Sequence, residues 1–546
     1  MFFCNKLTLN NQRCYPYQNG VNFMDNKFYI TTPIYYPSNK FTLGNCYTTV
    51  ICDAIARHNR ALGKNVFFLT GTDEHGQKIA KKAESVGKTE MQYLDEMIAD
   101  SKALWKKLDI SYDRFIRTTE PEHERAVQIA FKKLYDDGYI YKGQYVGNYC
   151  LPCESFWTDA QLVDGKCPDC GREVTKQTEE AYFFKLSQFA DKLLDLYKQN
   201  PEFLLPTSRV NEMVNNFIKP GLQDLCVSRT SVKWGVKVDF DPNHTVYVWI
   251  DALLNYLTAL GYNGDEKLMD FWPADVHIMG KEIVRFHAII WPAILMALGL
   301  PLPKRLFGHG WLLFGGDKLS KSKETNNTEV LDPRILIDLY GSDPVRYILL
   351  REIPFGSDGI YTTEKFLTRF NSDLCNDYGN LINRTLAMTK KYFDGVVPQK
   401  SVQTEQDKQF EDYCFERFEN TLAFMQDFNV SKALEEIFAI FVRANKYIDQ
   451  SMPWQLFKDQ NTAQLATVLY NLLDAIYLGT LLLQAFLPEC TQKVLNVFGQ
   501  NITLDKIKQF DILEKVTLGE LAPLFPRLDI PAEMEKLAKI ASETKG

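Results

Sequence analysis

The 546-residue sequence predicts an α/β protein: a Rossmann-type parallel sheet, split by an insertion and followed by an all-α domain. Three observations support this fold class. A strand–helix–strand pattern begins near Lys27, and a second α/β pattern begins at Thr245. Two Cys-x-x-Cys pairs lie between these patterns. From Pro333 onward the apolar residues recur almost wholly with the helical period.

The composition is that of a multidomain globular protein, with 45% hydrophobic residues and a net charge of -7. A nucleic-acid partner would therefore need a local basic surface. The longest apolar runs, 288–300 and 475–487, are shorter than the roughly 20 residues that span a bilayer, which favours buried helices. The first 23 residues lack a secretion or import signal, and the scattered cysteines indicate a reducing compartment, so we expect the cytoplasm.

The first α/β pattern is a βαβ unit. Residues 27–32 alternate like a strand, 46–62 have helical spacing, and "NVFFLTGTDEHG" from Asn65 supplies a continuous apolar strand and a polar loop. A right-handed crossover between parallel strands brings both connecting loops to the carboxyl edge of the sheet. We therefore expect 42–45 and 72–75 to face one crevice.

The second α/β pattern contains "TVYVWID" from Thr245, "DVHIMG" from Asp275, a helix through Leu298 and "RLFGHGWLLF" from Arg305. Later segments, such as 430–450 and 463–486, are amphipathic helices. The domain boundaries predicted from these patterns are a disordered extension (1–24), the first half of the sheet domain (25–120), the insertion (121–244), the second half (245–332), a linking region (333–370) and a helical domain (371–546).

The two cysteine pairs predict a structural metal site. Cys150 and Cys153 are separated by 13 residues from Cys167 and Cys170, a ribbon-type spacing that favours zinc over chance pairs or disulfides. Four thiolates complete a tetrahedral shell and leave no position for a reactive water. We therefore expect one structural Zn²⁺ and no catalysis at the metal.

The segment "GDKLSKSKE", residues 316–324, carries three lysines and two serines behind two glycines. Taken alone, such a lysine-rich segment is most often a solvated surface turn. This segment follows a strand of the second α/β half, and the turn "TLGN" (42–45) follows a strand of the first half. The two positions together favour a cationic loop that binds a polyphosphate.

Four segments in this order, "TTPIYYPSNKFTLGN", "FFLTGTDEHGQKIAKKA", "GKEIVRFHAIIWPAIL" and "KLSKS", strongly resemble class I methionyl-tRNA synthetases. The resemblance runs from about Asp25 to the last helices. It implies a ligase that activates methionine with ATP and Mg²⁺ and transfers it to the 3′ end of tRNA(Met). It also implies that the helical domain binds the anticodon.

The resemblance assigns ATP to Thr42, Gly44, Asn45, His309, Lys318 and Lys321. Thr42 and Asn45 stand where the family usually has the two histidines of its HIGH motif, and they still offer neutral hydrogen-bond donors to a phosphate. Together with Lys318 and Lys321 of the KMSKS-like loop, they are the predicted catalytic residues. After this loop, 324–327 replace the usual Gly-Asn.

The resemblance also assigns the amino-acid subsite and the anticodon reader. Asp73 would bind the α-ammonium of methionine, and the side chain would lie among Ile34, Tyr36, Trp249 and His287. Asn380, Arg384 and Trp454 would read the anticodon by hydrogen bonding and stacking. Family members that dimerise use a C-terminal appendix that this sequence does not show, so a monomer is expected.

Two alternatives stay open at this point. One is a paralogue that adenylates an amino acid for a non-translational acceptor, and the segments "NLINR" and "PW" argue against it. The other is a catalytically inactive RNA-binding paralogue, suggested by the absent histidines. Asp73, Lys318 and Lys321 argue against that second reading. Methionine-dependent exchange of pyrophosphate into ATP would show a working active site and argue against the inactive paralogue, and charging of tRNA would then remain to be confirmed.

Overall fold

The computed structural model describes residues 26–543 except 154, 158, 160–161, 169, 231, 315–316, 319–331 and 355. Its centre is a six-stranded sheet in which every neighbouring pair is parallel. The predicted extension at 1–24 and Lys321 lie outside the described residues.

The first half of the sheet domain follows the predicted βαβ order. Its elements are β1 (Lys27–Thr31), α1 (Leu43–Ala61), β2 (Asn65–Thr72), α2 (Gln77–Ser85), α3 (Glu90–Lys107) and β3 (Arg114–Arg117). Helix α1 begins three residues before the predicted 46, because Thr42 caps it. The "TLGN" segment is therefore the first turn of α1 and not a loop in front of it.

The chain between the two halves adds an antiparallel sheet and several short helices. Its elements are α4 (Pro121–Asp136), β4 (Ile140–Cys150), β5 (Ser155–Trp157), β6 (Thr175–Phe184), a 3₁₀ turn (Leu186–Phe189), α5 (Ala190–Gln199), β7 (Leu204–Leu205), α6 (Thr207–Met213), a π-helix (Val214–Ile218), β8 (Leu225–Cys226), β9 (Ser228–Arg229) and β10 (Thr245–Val246). Strands β5, β4, β6 and β8 form the antiparallel sheet, and β9 pairs with β10. Strand β7 instead joins the edge of the parallel sheet.

The second half contains α7 (Val248–Thr258), a 3₁₀ turn (Glu266–Phe271), β11 (Val276–Gly280), a 3₁₀ turn (Lys281–Ile283), a π-helix (Phe286–Ile290), α8 (Trp291–Leu298), β12 (Leu306–His309), β13 (Leu312–Phe314) and β14 (Asp317–Lys318). With these strands the parallel sheet has the order β3-β2-β1-β11-β12-β7. The segment "TVYVWID", which the sequence analysis placed at the start of the second α/β pattern, is a strand only at its first two residues. Helix α7 already begins at Val248. A run buried on all sides has no periodicity that separates a strand from a helix.

The remaining chain is mostly helical, as predicted. Its elements are α9 (Pro333–Tyr340), α10 (Ser342–Arg351), β15 (Gly359–Tyr361), α11 (Thr363–Arg369), a π-helix (Phe370–Asn380), α12 (Leu381–Phe393), α13 (Glu405–Gln426), α14 (Val430–Ser451), α15 (Pro453–Lys458), α16 (Thr462–Leu483), α17 (Pro488–Phe498), a 3₁₀ turn (Leu504–Lys506) and α18 (Ile530–Glu543). Within the described part of the chain, α16 is the helix whose length and apolar composition would suit a membrane, and it lies wholly inside the helical core.

A buried ion pair joins the sheet domain to the helical domain. Asp53 of α1 and Arg346 of α10 lie 2.7 Å apart, and both side chains are fully buried. The Arg346 guanidinium also donates to the carbonyls of Phe486, at 2.8 Å, and Leu108, at 3.0 Å. One side chain thus links α1, the end of α3 and the end of α16.

Candidate active site

A cavity of about 470 Å³ opens at the carboxyl end of the parallel sheet. Both halves of the split domain contribute to its wall, which confirms that the loops at 42–45 and 72–75 meet in one crevice. Nine residues predicted from the sequence line this cavity: Ile34, Tyr36, Thr42, Gly44, Asn45, Asp73, Trp249, His287 and His309.

The first turn of α1 forms one side of the cavity. The Thr42 backbone N–H donates to Asn45 Oδ1 at 3.0 Å, so Asn45 closes the turn that Thr42 caps. A Cβ at Gly44 would meet Thr42 Oγ1 at 3.6 Å as its nearest neighbour, so the protein itself does not require glycine there. The turn therefore leaves room for a ligand beside the helix N-terminus, where backbone N–H groups and the helix dipole favour an anion.

Asp73 is held at the cavity by the residues around it. Its N–H donates to the Tyr35 carbonyl at 2.9 Å. The next residue, Glu74, is buried and accepts hydrogen bonds from Arg117 at 2.9 Å and Thr119 at 2.6 Å. The backbone at Asp73 is thus anchored on both sides, and its carboxylate is placed in the cavity wall.

The aromatic part of the cavity is built around a neutral histidine. Trp249 stacks on Phe286 with 3.6 Å between ring centroids and meets His287 edge-on at 6.4 Å. His287 Nδ1 lies 3.0 Å from the Ile283 carbonyl, which can only accept, so Nδ1 carries the proton. Nε2 therefore accepts from the Tyr256 hydroxyl at 2.7 Å. Burial lowers the pKa of His287 to about 4, which keeps the ring uncharged.

Tyr256 is a site residue that the sequence reasoning did not find. It lines the cavity together with Trp249, Ala252 and Leu253. These positions are spaced i, i+3, i+4 and i+7 along α7, the pattern of one helical face. The signal was present in "WIDALLNY" but was hidden because the start of this segment was read as part of a strand pattern.

His309 ends β12 on the opposite wall. Its Nδ1 donates to the Gly310 carbonyl at 2.7 Å, so Nε2 accepts from the Thr48 hydroxyl of α1 at 2.8 Å. Burial lowers its pKa below the ordinary value. His309 is thus a neutral side chain fixed against α1.

The described chain on both sides of residues 319–331 lies near the cavity. Lys318 belongs to β14, which pairs with β13, and Phe314 of β13 lines the cavity. Where the described chain resumes, Arg334 of α9 donates to the Phe41 carbonyl at 3.3 Å, directly before Thr42. The described chain before residues 319–331 therefore reaches the cavity wall, and the chain after them contacts the residue that precedes the "TLGN" turn.

Comparisons with known proteins show the family of this chain. The family model for tRNA synthetases class I (M) matches residues 28–179 and 172–386, and that for the anticodon binding domain of methionyl tRNA ligase matches 397–523. The methionine–tRNA ligase of Caldanaerobacter subterraneus is 53% identical over 528 residues, which cover 95% of this chain and 82% of that protein. That of Clostridium acetobutylicum is 53% identical over 524 residues, covering 95% of this chain and 80% of that protein.

This chain belongs to the class I methionyl-tRNA synthetases. A solved structure of Mycobacterium tuberculosis methionyl-tRNA synthetase in complex with methionyl-adenylate matches it with a TM-score of 0.87 at 39% identity, covering 92% of this chain and 100% of the other. The apo form of that synthetase matches with a TM-score of 0.79 at 37% identity, covering 92% and 98%. The fold class, family and enzyme class predicted from the sequence are confirmed.

The four predicted metal ligands come together in this synthetase. The sulfurs of Cys150, Cys153, Cys167 and Cys170 all lie within 4.8 Å of one another; those of Cys150 and Cys170 are 3.5 Å apart and those of Cys153 and Cys167 are 3.7 Å apart. A tetrahedral zinc with Zn–S bonds of about 2.3 Å requires sulfurs about 3.8 Å apart. Burial raises the pKa of Cys150 to about 12, so a cation is needed to hold it as a thiolate. The residues therefore fit a tetrahedral metal ion.

The predicted anticodon residues lie at one end of the helical domain. Arg384 of α12 is 3.7 Å from Asp449 of α14, and both are exposed. Asn380 is exposed one turn before Arg384. Met452, with a φ of 42°, ends α14 in the left-handed conformation, and α15 then carries Trp454, whose side chain is 39% exposed. The three predicted residues are thus on elements that meet, and all three are accessible to a partner.

Proposed function

We propose that this synthetase activates L-methionine with ATP and Mg²⁺ to form methionyl-adenylate, and then transfers the methionyl group to the 3′ end of tRNA(Met) for translation. The observation that carries this proposal is the cavity, in which the first turn of α1, Asp73 and the wall around Trp249 and His287 meet. Family membership supplies the ligase activity. The roles of individual residues rest on the contacts described above.

In the amino-acid subsite, the Asp73 carboxylate accepts hydrogen bonds from the α-ammonium group of methionine. The thioether lies among Ile34, Tyr36, Trp249 and His287. A thioether is apolar and polarizable and makes favourable contacts with aromatic rings. His287 suits this neutral ligand because it is uncharged and its Nε2 is already paired with Tyr256. Charged side chains would lose hydration in this pocket without gaining a partner.

In the ATP subsite, the phosphates lie at the N-terminus of α1, beside Thr42, Gly44 and Asn45. The Oδ1 of Asn45 accepts from the Thr42 N–H, so the amide nitrogen is the end that can donate to a phosphate. His309 borders the nucleotide, and Lys318 and Lys321 stabilise the pyrophosphate that leaves. Mg²⁺ would neutralise the same phosphates, and the enzyme otherwise orients the reactants for in-line displacement.

The metal in the insertion is Zn²⁺, with a structural role. Four sulfur ligands leave no open position, so the ion stabilises the turns that carry Cys150 and Cys170. Pro152 and Cys153 also line the cavity, which connects the integrity of this module to the shape of the active site.

At the helical domain, Asn380 and Arg384 donate to the edges of anticodon bases, and Trp454 stacks on an unstacked base. Single-stranded loops are read through such exposed edges and stacking surfaces. Of the remaining predictions, the domain boundaries, the monomeric state and the cytoplasmic location are kept as proposals. The ten described cysteines form no disulfide.

The test is methionine-dependent exchange of labelled pyrophosphate into ATP, with the other nineteen amino acids as controls. Exchange with methionine, followed by charging of tRNA(Met), is the expected result. Exchange with methionine but no charging of any tRNA would favour a paralogue with another acceptor. A folded, zinc-loaded protein that catalyses no exchange would contradict the proposal.

A further inference from the structure

A buried ion pair connects the two parts of the amino-acid subsite. His75 lies two residues after Asp73, and Asp251 lies two residues after Trp249. His75 Nδ1 and Asp251 Oδ2 are 2.7 Å apart, although the residues are 176 positions apart in the chain. The two residues are 3% and 1% exposed, and neither belongs to the cavity wall. The pair therefore lies behind the site and joins the loop after β2 to the first turn of α7.

Charge makes this connection strong. Burial opposes a charge on His75, but the carboxylates of Asp251, Glu124 and Asp73 outweigh burial and raise its pKa to about 10. Burial likewise opposes ionisation of Asp251, yet His75 and His123 lower its pKa to about 2. The second oxygen of Asp251 accepts from His123 Nε2 at 2.8 Å. At neutral pH the two elements are thus joined by a buried, charge-assisted hydrogen bond.

We propose that the His75–Asp251 pair is a positioning device that sets how strongly the site requires an α-ammonium group on its amino-acid substrate. This inference rests on the proposed role of Asp73. The loop after β2 is fixed at Glu74 by Arg117 and at His75 by Asp251, and Asp73 directly precedes these two anchors. On α7, Asp251 is directed away from the cavity while Trp249, Ala252 and Tyr256 line it. The pair thereby sets the separation between the ammonium acceptor and the aromatic wall.

A positioning role has a consequence that a general stabilising role lacks. If His75 acts through Asp73, its loss weakens the binding of ligands that carry an ammonium group and leaves the binding of ligands without one unchanged. If His75 only supports the pocket, its loss weakens both classes equally. Small displacements of a positioned group cost up to about 10²-fold, so the difference is measurable.

The experiment compares dissociation constants for L-methionine, methioninol and 4-(methylthio)butanoate. The last compound keeps the thioether and the carboxylate but has no ammonium group, whereas methioninol keeps the ammonium group and has no carboxylate. For His75→Gln we expect the preference for methionine over 4-(methylthio)butanoate to fall at least about tenfold. We expect the binding of methioninol to weaken by the same factor as the binding of methionine. A loss shared equally by all three ligands would overturn the proposal.

Three further variants make the outcome unambiguous. His244→Gln removes another buried histidine, which lies 3.6 Å from Asp241 and outside the cavity, and the preference should stay unchanged. Asp73→Asn tests the proposed function itself: if this variant keeps the wild-type preference, the role of Asp73 is wrong. If Asp73→Asn loses the preference while His75→Gln keeps it, the positioning role of the His75–Asp251 pair is wrong and the role of Asp73 stands. Should His75→Gln not fold, Asp251→Asn weakens the same pair with an isosteric amide and gives the same test.

Discussion

The backbone N–H of Thr42 donates to Asn45 Oδ1 at 3.0 Å, so the side chain that replaces the family's second signature histidine also closes the first turn of α1. A histidine side chain has no carbonyl oxygen, so it could not accept this hydrogen bond in the same way. The oxygen of this amide holds the turn, and under the proposed function its nitrogen donates to a phosphate, so one side chain would meet two needs.

Replacing Asn45 by Asp separates these two needs. The carboxylate keeps an acceptor for the Thr42 N–H and suits a helix N-terminus, so the melting temperature should stay close to that of the wild type. Methionine-dependent pyrophosphate exchange should fall by about 10²-fold or more, because a donor to the phosphate becomes a negative charge. Wild-type exchange in this variant would show that the turn does not contact the phosphates.

Removing Trp454 tests the anticodon surface. Stacking of a base on an aromatic ring contributes about 1–3 kcal/mol, so Trp454→Ala should lower kcat/KM for tRNA(Met) about 10- to 100-fold. Pyrophosphate exchange should be unchanged, because no residue of α15 lines the cavity. Phe457→Ala is the matched control: this ring of the same helix is 46% exposed but already stacks on Tyr392, 4.3 Å away. Equal losses in exchange and charging for Trp454→Ala would contradict the assignment.

Metal analysis tests the cysteine cluster. The purified protein should contain one equivalent of zinc, and chelation should lower the melting temperature because the ion holds two turns together. Cys150→Ser should lose the metal, whereas Cys226→Ser, which changes a buried cysteine outside the cluster, should retain it. Since Pro152 and Cys153 line the cavity, metal loss should also raise KM for methionine. A folded wild-type protein without metal would refute the site.

Stability should depend on pH through His58. This residue of α1 is buried, and burial, assisted by Lys64, lowers its pKa from 6.5 to about 4. Between these values the unfolded chain binds a proton that the folded chain does not, so His58 makes stability fall as pH decreases from about 6.5 to 4. On unfolding in this pH interval, His58→Gln should therefore take up as much as one proton fewer than the wild type. Denaturant titrations at several pH values measure this, and parallel curves for both proteins would contradict it.

The link between the two domains should be sensitive to Arg346. Arg346→Met leaves Asp53 with less compensation and removes the donor from the carbonyls of Phe486 and Leu108. Breaking a buried pair in this way costs about 3–5 kcal/mol of unfolding free energy. Lys390→Ala, which breaks the exposed pair with Glu520, is the control and should leave stability unchanged. A wild-type unfolding free energy for Arg346→Met would show that the two domains do not depend on this contact.

The sequence predicted those parts of the fold that have a local signature. Strands β1 and β2 were recognised because their runs are short and bounded by turn residues, and α14 because its apolar face has the helical period. The four cysteines were found from spacing alone, since each pair closes a turn of its own. The start of α7 was misread because Thr245–Ile250 lies among buried neighbours and carries no periodic pattern.

By itself, the sequence determined the family, the order of the domains and the side chains that can bind ligands, because these follow from residue type and short-range spacing. Only the tertiary structure decided how those side chains are held. The proton on His287 is placed by Tyr256 and Ile283, and the loop that carries Asp73 is joined to α7 behind the site by the contact between His75 and Asp251. Such contacts join residues far apart in the chain. Their geometry depends on how whole elements pack, which no local pattern of residues encodes.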